Sequence, residues 1–380
     1  MNVSLIGISA LFYLALVSAF YVIAFAFASL YRRLAARSPQ SGRKRMILIA
    51  LSLPPIAALL PTGAGVVLRH LHGAGMRAMG DAIMPADAPT ALAHHTMACA
   101  RLFERLGTIV GFGVNSTAVS QVLGVGTWLL FAVGIGYAAR LTSATYRLET
   151  GIAPLLSAPS PRLVESLGRV ARRLGLSANL RGRFFECALP PDRSSVIGLT
   201  RAKCALSRAF IEAAPPEEID ALVAHEAAHL RSGDVYAAFA VGVLNCVFFF
   251  LRPVRLLSRW WRESAELCAD DVAVRGTGDD PLAVASAILR TRASGVGGYA
   301  LPAPLLPFAD EGAVSVEKRI ERLLEQAEHA LPAARPETPA QIALAWATTG
   351  MLACLGAGLL ASSEATCVAH CTLELLQRVL

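Results

Sequence analysis

Residues 222–234 read LVAHEAAHLRSGD. They follow Pro215-Pro216 and Glu217-Glu218, which mark a helix start: proline suits the first turn, and negative charge favours the positive end of the helix dipole. On such a helix His225 and His229 lie one turn apart on the same face, so both imidazoles can meet one Zn²⁺. Glu226 then stands beside the metal. A carboxylate there can take a proton from attacking water and later deliver it to a leaving amine, while the metal polarises the scissile carbonyl. With eight histidines in 380 residues, His-Glu-x-x-His arises by chance in roughly one such chain in a hundred, so the motif needs context. The buried face of the helix should include Ile219, Leu222 and Val223.

A third protein ligand is expected from a following helix. The stretch 262–271, RESAELCADD, offers Glu263 and Glu266, then Asp270 and Asp271. Glu266 and Asp270 are four apart, so one can bind zinc while the other accepts the outer N–H of a ligating imidazole and fixes its tautomer. The plainer alternative is a solvated acidic helix paired with Arg262 and Arg275. A return of this helix to the histidines favours the ligand reading.

The rest of the chain is unlike a soluble enzyme: 54% of its residues are hydrophobic and 17% charged, far from the usual globular balance. Residues 3–30 carry no charge and are long enough to span a bilayer. With no basic residue before them, they read as a retained span, not a cleaved signal. Further spans are 46–68, with Pro54, Pro55 and Pro61 implying a kink; 118–139, with small surfaces at Gly124, Gly126, Gly134 and Gly136; and 341–361. Residues 31–45 hold six basic and no acidic residues, 69–118 four against three, and 140–211 twelve against four. By the positive-inside rule the N-terminus lies outside a bacterial-type inner (cell) membrane and the large region after the third span is cytoplasmic. The net charge of +7 follows the loops beside spans and lacks interleaved aromatics, which argues against direct nucleic-acid binding.

The expected organisation is therefore 1–140, three spans with an outer loop near 69–118; 141–340, a cytoplasmic zinc domain; 341–361, a last span; and 362–380, a short outer tail. Within the zinc domain, 150–161 reads as a linker and 162–176 as a helix with Leu163, Leu167, Val170 and Leu174 at helical spacing, ending near Gly175. A small sheet is expected over 181–211, helices over 281–292 and 316–331, and a loop over 293–315. The apolar stretch 235–251 is short for a span. A single crossing there would put His229 and Glu266 on opposite sides of the bilayer, so it should be re-entrant or interfacial, within a membrane-hugging segment 235–256. Arg252, Arg255, Arg259 and Arg262, with Trp260 and Trp261, suit a helix at headgroup level. On an unbroken helix Glu266 would share that arginine stripe, so either the helix breaks after Trp261 or the arginines face the site.

Cys187, Cys204, Cys246 and Cys268 fall inside or at the membrane, where thiols stay reduced. Cys99, Cys367 and Cys371 lie outside, where disulfides or an unpaired tail are both open. His70, His72, His94 and His95 read as solvated histidines of the outer loop.

HEAAH followed by ELCAD resembles the Glu-x-x-x-Asp arrangement of gluzincin membrane peptidases. The layout of three spans, an inner zinc domain and one later span is similar to the BlaR/MecR family of integral membrane metallopeptidases over nearly the whole chain. HLRSGD after the second histidine and EKRIERLL before the last span are also family-like. The resemblance implies an α-helical integral membrane protein with an inserted α+β zincin-like (gluzincin) domain. It further implies His225, His229 and Glu266 as zinc ligands, Glu226 as catalytic base, and Asp270 as the carboxylate behind a ligating imidazole. It implies regulated proteolysis, in which an outer signal leads to cleavage of a cytosolic repressor, a membrane protein or the chain itself. The partners expected are that protein substrate, such as a transcriptional repressor, the lipid bilayer, and a second copy of the chain in a homo-oligomer. Two departures stand out: Ala269, not cysteine, precedes Asp270, with Cys268 one place earlier, and no C-terminal penicillin-binding sensor follows the last span. Competing readings are a quality-control peptidase like HtpX, and a non-catalytic signalling scaffold with a structural metal site; an intact Glu226 argues against the scaffold.

Overall fold

A computed structural model describes residues 3–34, 40–79, 117–188, 195–293 and 316–329. Three long helices come first: α1 (Val3–Leu34), α2 (Gln40–Met79) and α3 (Thr117–Ile152). Two helical segments, Tyr13–Arg33 and Val125–Leu155, are long and apolar enough to cross a membrane. Less than a third of the most apolar window of either segment is buried. Val125, Leu129 and Ile135 on α3 are each more than half exposed, and so continuous an apolar surface calls for lipid or a partner. Helix α2 runs on past residue 68 to Met79, so His70 and His72 lie on a helix and not in a loop. The expected span 341–361, Cys99, Cys367, Cys371, His94 and His95 lie outside the described residues.

Contacts divide the chain into two units, and the second draws its described residues from Ala28–Leu51 and Gly134–Ile342. In the first, Tyr13 and Phe131 rings stand 5.8 Å apart and the Tyr13 hydroxyl donates to the Pro55 carbonyl.

The second unit holds everything in the candidate site. After α3 come β1 (Leu156–Ser157), α4 (Pro161–Leu174), α5 (Ala178–Arg181), β2 (Phe184–Cys187), β3 (Ser195–Ile197), β4 (Lys203–Ser207) and α6 (Arg208–Ala213). They are followed by α7 (Pro216–Ser232), α8 (Asp234–Val247), α9 (Arg252–Thr277), α10 (Pro281–Ala293) and α11 (Val316–His329). The sheet has the order β1-β2-β4-β3, with β2 and β4 parallel and both outer strands antiparallel. Strand β1 falls in the stretch expected to be a linker: Leu156 pairs with Cys187 and Ser157 with Glu186, so the exit from α3 is stitched to the sheet.

Helix α7 is the centre of this unit. Pro216 occupies its first turn with Glu217 and Glu218, and Ile219, Leu222 and Val223 are buried. They pack with Leu163, Leu167 and Val170 of α4, Phe210 of α6 and Ala273 of α9. Each large apolar side chain buried here stabilises the fold by about 1.5–3 kcal/mol. Two buried acids on α7 are held by cations from its neighbours. Asp220 accepts from Ser166 and Arg169 of α4, and Glu218 accepts from Ser286 and Arg290 of α10.

Helix α9 lies against α7 at a point where no side chain fits. A Cβ on Gly276 would overlap the Ala224 Cβ, next to His225. Gly276→Ala should therefore push α7 and α9 apart and cost about 1–3 kcal/mol, the range for overpacking. Thermal unfolding of the purified chain checks this, with Gly151→Ala as control because open space surrounds that position. Equal midpoints for the two variants would contradict the close crossing.

The apolar stretch after the histidines forms α8, which turns at residues 248–251 and returns as α9. Buried Asn245 on α8 donates to Ser258 on α9 at 2.8 Å, tying the hairpin. Helix α8 also rests on α3. Gly134 faces the backbone at Val247, Gly242 meets Leu141, and the Tyr137 and Phe249 rings stand 6.0 Å apart. Helix α9 does not break after Trp261: it is continuous from Arg252 to Thr277. Glu266 therefore continues the stripe that begins with Arg252, Arg255, Arg259 and Arg262.

Candidate metal centre

His225 and His229 reach the same point from α7, their rings edge to face with centroids 4.8 Å apart. Helix α9 supplies Glu266 opposite them. The Nε2 atoms of the two histidines are 3.2 Å apart, and the Glu266 carboxylate oxygens lie 3.6 Å from His225 Nε2 and 3.8 Å from His229 Nε2. A tetrahedral zinc site with bonds of about 2.0–2.2 Å places its ligand atoms about 3.4 Å apart. The two imidazole nitrogens and the Glu266 carboxylate, which offers one oxygen to each, are thus spaced for one face of such a tetrahedron and leave a fourth position for another ligand. Among the described residues, His225, His229 and Glu266 are the group whose ligand atoms converge within 4.8 Å.

Hydrogen-bond accounting gives an independent test of the fit. His225 Nδ1 lies 3.1 Å from an Asp270 oxygen, and His229 Nδ1 lies 2.8 Å from Asp234 Oδ2. An N–H on each Nδ1, donated to its carboxylate, leaves both Nε2 atoms as bare acceptors facing a third acceptor, Glu266. Three converging lone pairs need a cation between them. Without a metal, a proton takes that place. Burial alone would lower the His225 pKa, but hydrogen bonds to Asp270 and Glu266 outweigh it and push it up to about 10. Burial also opposes ionisation of Glu266, Asp270 and Asp234, yet their histidine partners, with Arg319 for the first two and Lys44 for the third, hold all three carboxyls below the ordinary carboxylate range.

Glu226, between the two histidines on α7, is 6% exposed. Among the described residues no hydrogen bond or ion pair ties its carboxylate. Its charge acts on Arg319, the cation that also holds Asp270 and Glu266.

Of the two candidate third ligands, the geometry brings Glu266 to the histidines and not Glu263. Glu263 is occupied by Arg32 of α1 and Lys318 of α11. The acidic stretch is not paired with Arg262 and Arg275 either: Asp271 takes Arg322 of α11, and Asp270 takes Arg319. Cys268 stays outside the converging group and is a free thiol.

Three residues of the site were not singled out from sequence: Asp234, Lys44 and Arg319. Five positions past His229, Asp234 would point away on a continuous helix. Gly233 adopts a left-handed backbone, φ +70°, ends α7 and turns the chain so that Asp234 opens α8 facing back to His229. The signal was present as Gly-Asp just after the second histidine. Lys44 Nζ then meets Asp234 Oδ1 at 2.7 Å. Arg319 spans Asp270 and Glu266, with Nε 2.8 Å from Asp270 Oδ2 and Nη1 3.0 Å from Glu266 Oε2. No local pattern links either cation to the motif, because both come from distant helices.

Residues 192–298 match the family model described as BlaR1 peptidase M56. The match runs from the β3 region to the end of α10 and contains His225, Glu226, His229, Glu266 and Asp270; Lys44 and Arg319 lie outside it. No curated protein and no solved structure matches the chain.

Proposed function

Because residues 192–298 match the BlaR1 peptidase M56 family model, we propose that the chain is a membrane-embedded zinc endopeptidase with a regulatory role. The observation that carries this reading is the convergence of His225 Nε2, His229 Nε2 and a Glu266 oxygen, with buried Glu226 the residue after His225 on the same helix. Zn²⁺ held by those three residues would supply the Lewis acid that polarises a peptide carbonyl and acidifies water. The protein's own groups do the rest. Asp270 and Asp234 accept from the outer nitrogens and keep each imidazole in the tautomer that presents Nε2. Glu226 takes a proton onto its carboxylate as water attacks, then returns it to the departing amine nitrogen. Arg319 holds Glu266 and Asp270 in one orientation from the same guanidinium.

The surrounding architecture supports cleavage at a membrane surface. The α8–α9 hairpin returns the chain to the side it left, which lets both halves of the site share one compartment. The basic loops favour a cytoplasmic compartment, with the N-terminus outside. The substrate is then a cytosolic repressor, a membrane protein or the chain itself, cut in response to an envelope signal.

Metal removal tests the reading. Membranes carrying the full chain should lose cleavage of its substrate, or of itself, on treatment with a zinc chelator and recover it when Zn²⁺ is returned. Fragments that form equally well after chelation would count against a metallopeptidase.

A further inference from the structure

We propose that Lys44 is a positioning residue of the metal site, so that the inner end of the second long helix sets how tightly the site holds its metal. The inference rests on the metallopeptidase reading and concerns Lys44, which lies outside the matched family region.

The two imidazoles are backed in parallel ways. Behind His225 stand Asp270 and then Arg319; behind His229 stand Asp234 and then Lys44. Each carboxylate thus has a histidine on one side and a cation on the other. The first arm closes within the zinc domain, on α11. The second reaches 190 residues back along the chain to α2, between side chains only 12% and 9% exposed.

The placement of Lys44 is costly unless Asp234 compensates it. It lies near the N-terminus of α2, the end of the helix dipole that disfavours a cation. Its ammonium is largely withdrawn from water, where an unpaired charge is strongly destabilising. A lysine that only marked the cytoplasmic side of the membrane would extend into the headgroups. Here it turns inward and fixes one oxygen of Asp234, leaving the other to receive His229 Nδ1. Arg32 provides a contrast: it reaches Glu263, one turn before Glu266, and among the described residues it meets Glu263 and Trp260 and none of the metal-site residues.

Loss of a partner behind a metal-binding histidine typically weakens metal affinity about 10- to 100-fold. The test uses the full chain in lipid nanodiscs, with Zn²⁺ affinity read by chelator competition and site geometry by the visible spectrum of the Co²⁺ form. Lys44→Met should weaken Zn²⁺ binding about ten-fold and shift the Co²⁺ spectrum. Lys44→Arg should keep most of the affinity, and Arg32→Met should change nothing. Because Lys44 acts through Asp234, Lys44→Met combined with Asp234→Asn should bind no more weakly than Asp234→Asn alone. Melting of the metal-free proteins reports folding separately; if Lys44→Met gives no cooperative melt, Lys44→Gln takes its place in the cycle. Unchanged affinity in the Lys44 variant, or additive effects with Asp234→Asn, overturns the proposal while leaving the metallopeptidase standing. A wild-type chain that binds no Zn²⁺ overturns both.

Discussion

Replacing Glu226 by Gln is expected to reduce proteolysis by about 10²- to 10⁴-fold while leaving the metal in place. The side chain is nearly the same size, and the position is buried at 6% exposure, so packing changes little. What disappears is the ability to accept a proton. At about 1.4 kcal/mol per factor of ten, the loss corresponds to roughly 3–5 kcal/mol of transition-state stabilisation. Zinc content should match that of the wild type, since the three converging ligand atoms come from His225, His229 and Glu266. Comparing membrane-fraction proteomes of cells carrying either form would show the substrate as fragments present only with Glu226. A variant that keeps zinc yet leaves every protein and self-cleavage product unchanged under envelope stress removes the main support for a protease. Retained cleavage would instead assign the proton transfer to another group.

The second large effect is on the metal itself. Replacing His229 by Ala should lower Zn²⁺ affinity by more than about 100-fold. Removing a partner behind a ligand already costs about 10- to 100-fold, and this change removes the ligand. Glu266→Gln should weaken binding as well, whereas Glu263→Gln should not, because Glu263 serves Arg32 and Lys318. The Glu263 and Glu266 pair is a sharp comparison: two acids one turn apart on one helix, of which one reaches the histidines. Equal losses from both would mean that the acidic stretch acts through overall charge and not through a defined ligand.

How much of this could be read from the sequence depends on the range of each interaction. The helix through the histidines was legible because its start and its apolar face are local: Pro216, and Ile219 with Leu222 and Val223; its stop at Gly233 was not read. The helix from Pro161 was legible for the same reasons, with Gly175 at its left-handed end. Strand β1 escaped because two residues give no alternation to detect; only pairing with Glu186 and Cys187 makes Leu156–Ser157 a strand. The continuity of α9 past Trp261 was open from the arginine spacing, since one stripe serves both a membrane-facing and a site-facing helix.

At the site, the histidine pair and Glu226 follow from helical spacing alone; the same rule pairs Glu266 with Asp270 but left Glu263 open as the ligand, and the family resemblance chose Glu266. Asp234 was hidden by a change of direction at Gly233, although it sits inside the very stretch that drew attention. Arg319 lies on α11, which was expected as an amphipathic helix; its polar side, seemingly for solvent, instead supplies Arg319 and Arg322 to Asp270 and Asp271. Lys44 was counted among the basic residues that orient the chain in a membrane. Its contact with Asp234 depends on how α2 meets α8, which no local pattern encodes.

The central claim is that His225, His229 and Glu266 together hold a zinc ion. Zinc K-edge X-ray absorption on the purified full chain tests it most directly. The account predicts a nitrogen and oxygen shell at about 2.0–2.2 Å with the outer scattering of two imidazoles, lost in His229→Ala. A sulfur shell at about 2.3 Å, or a chain that purifies without zinc and takes up none, would contradict it.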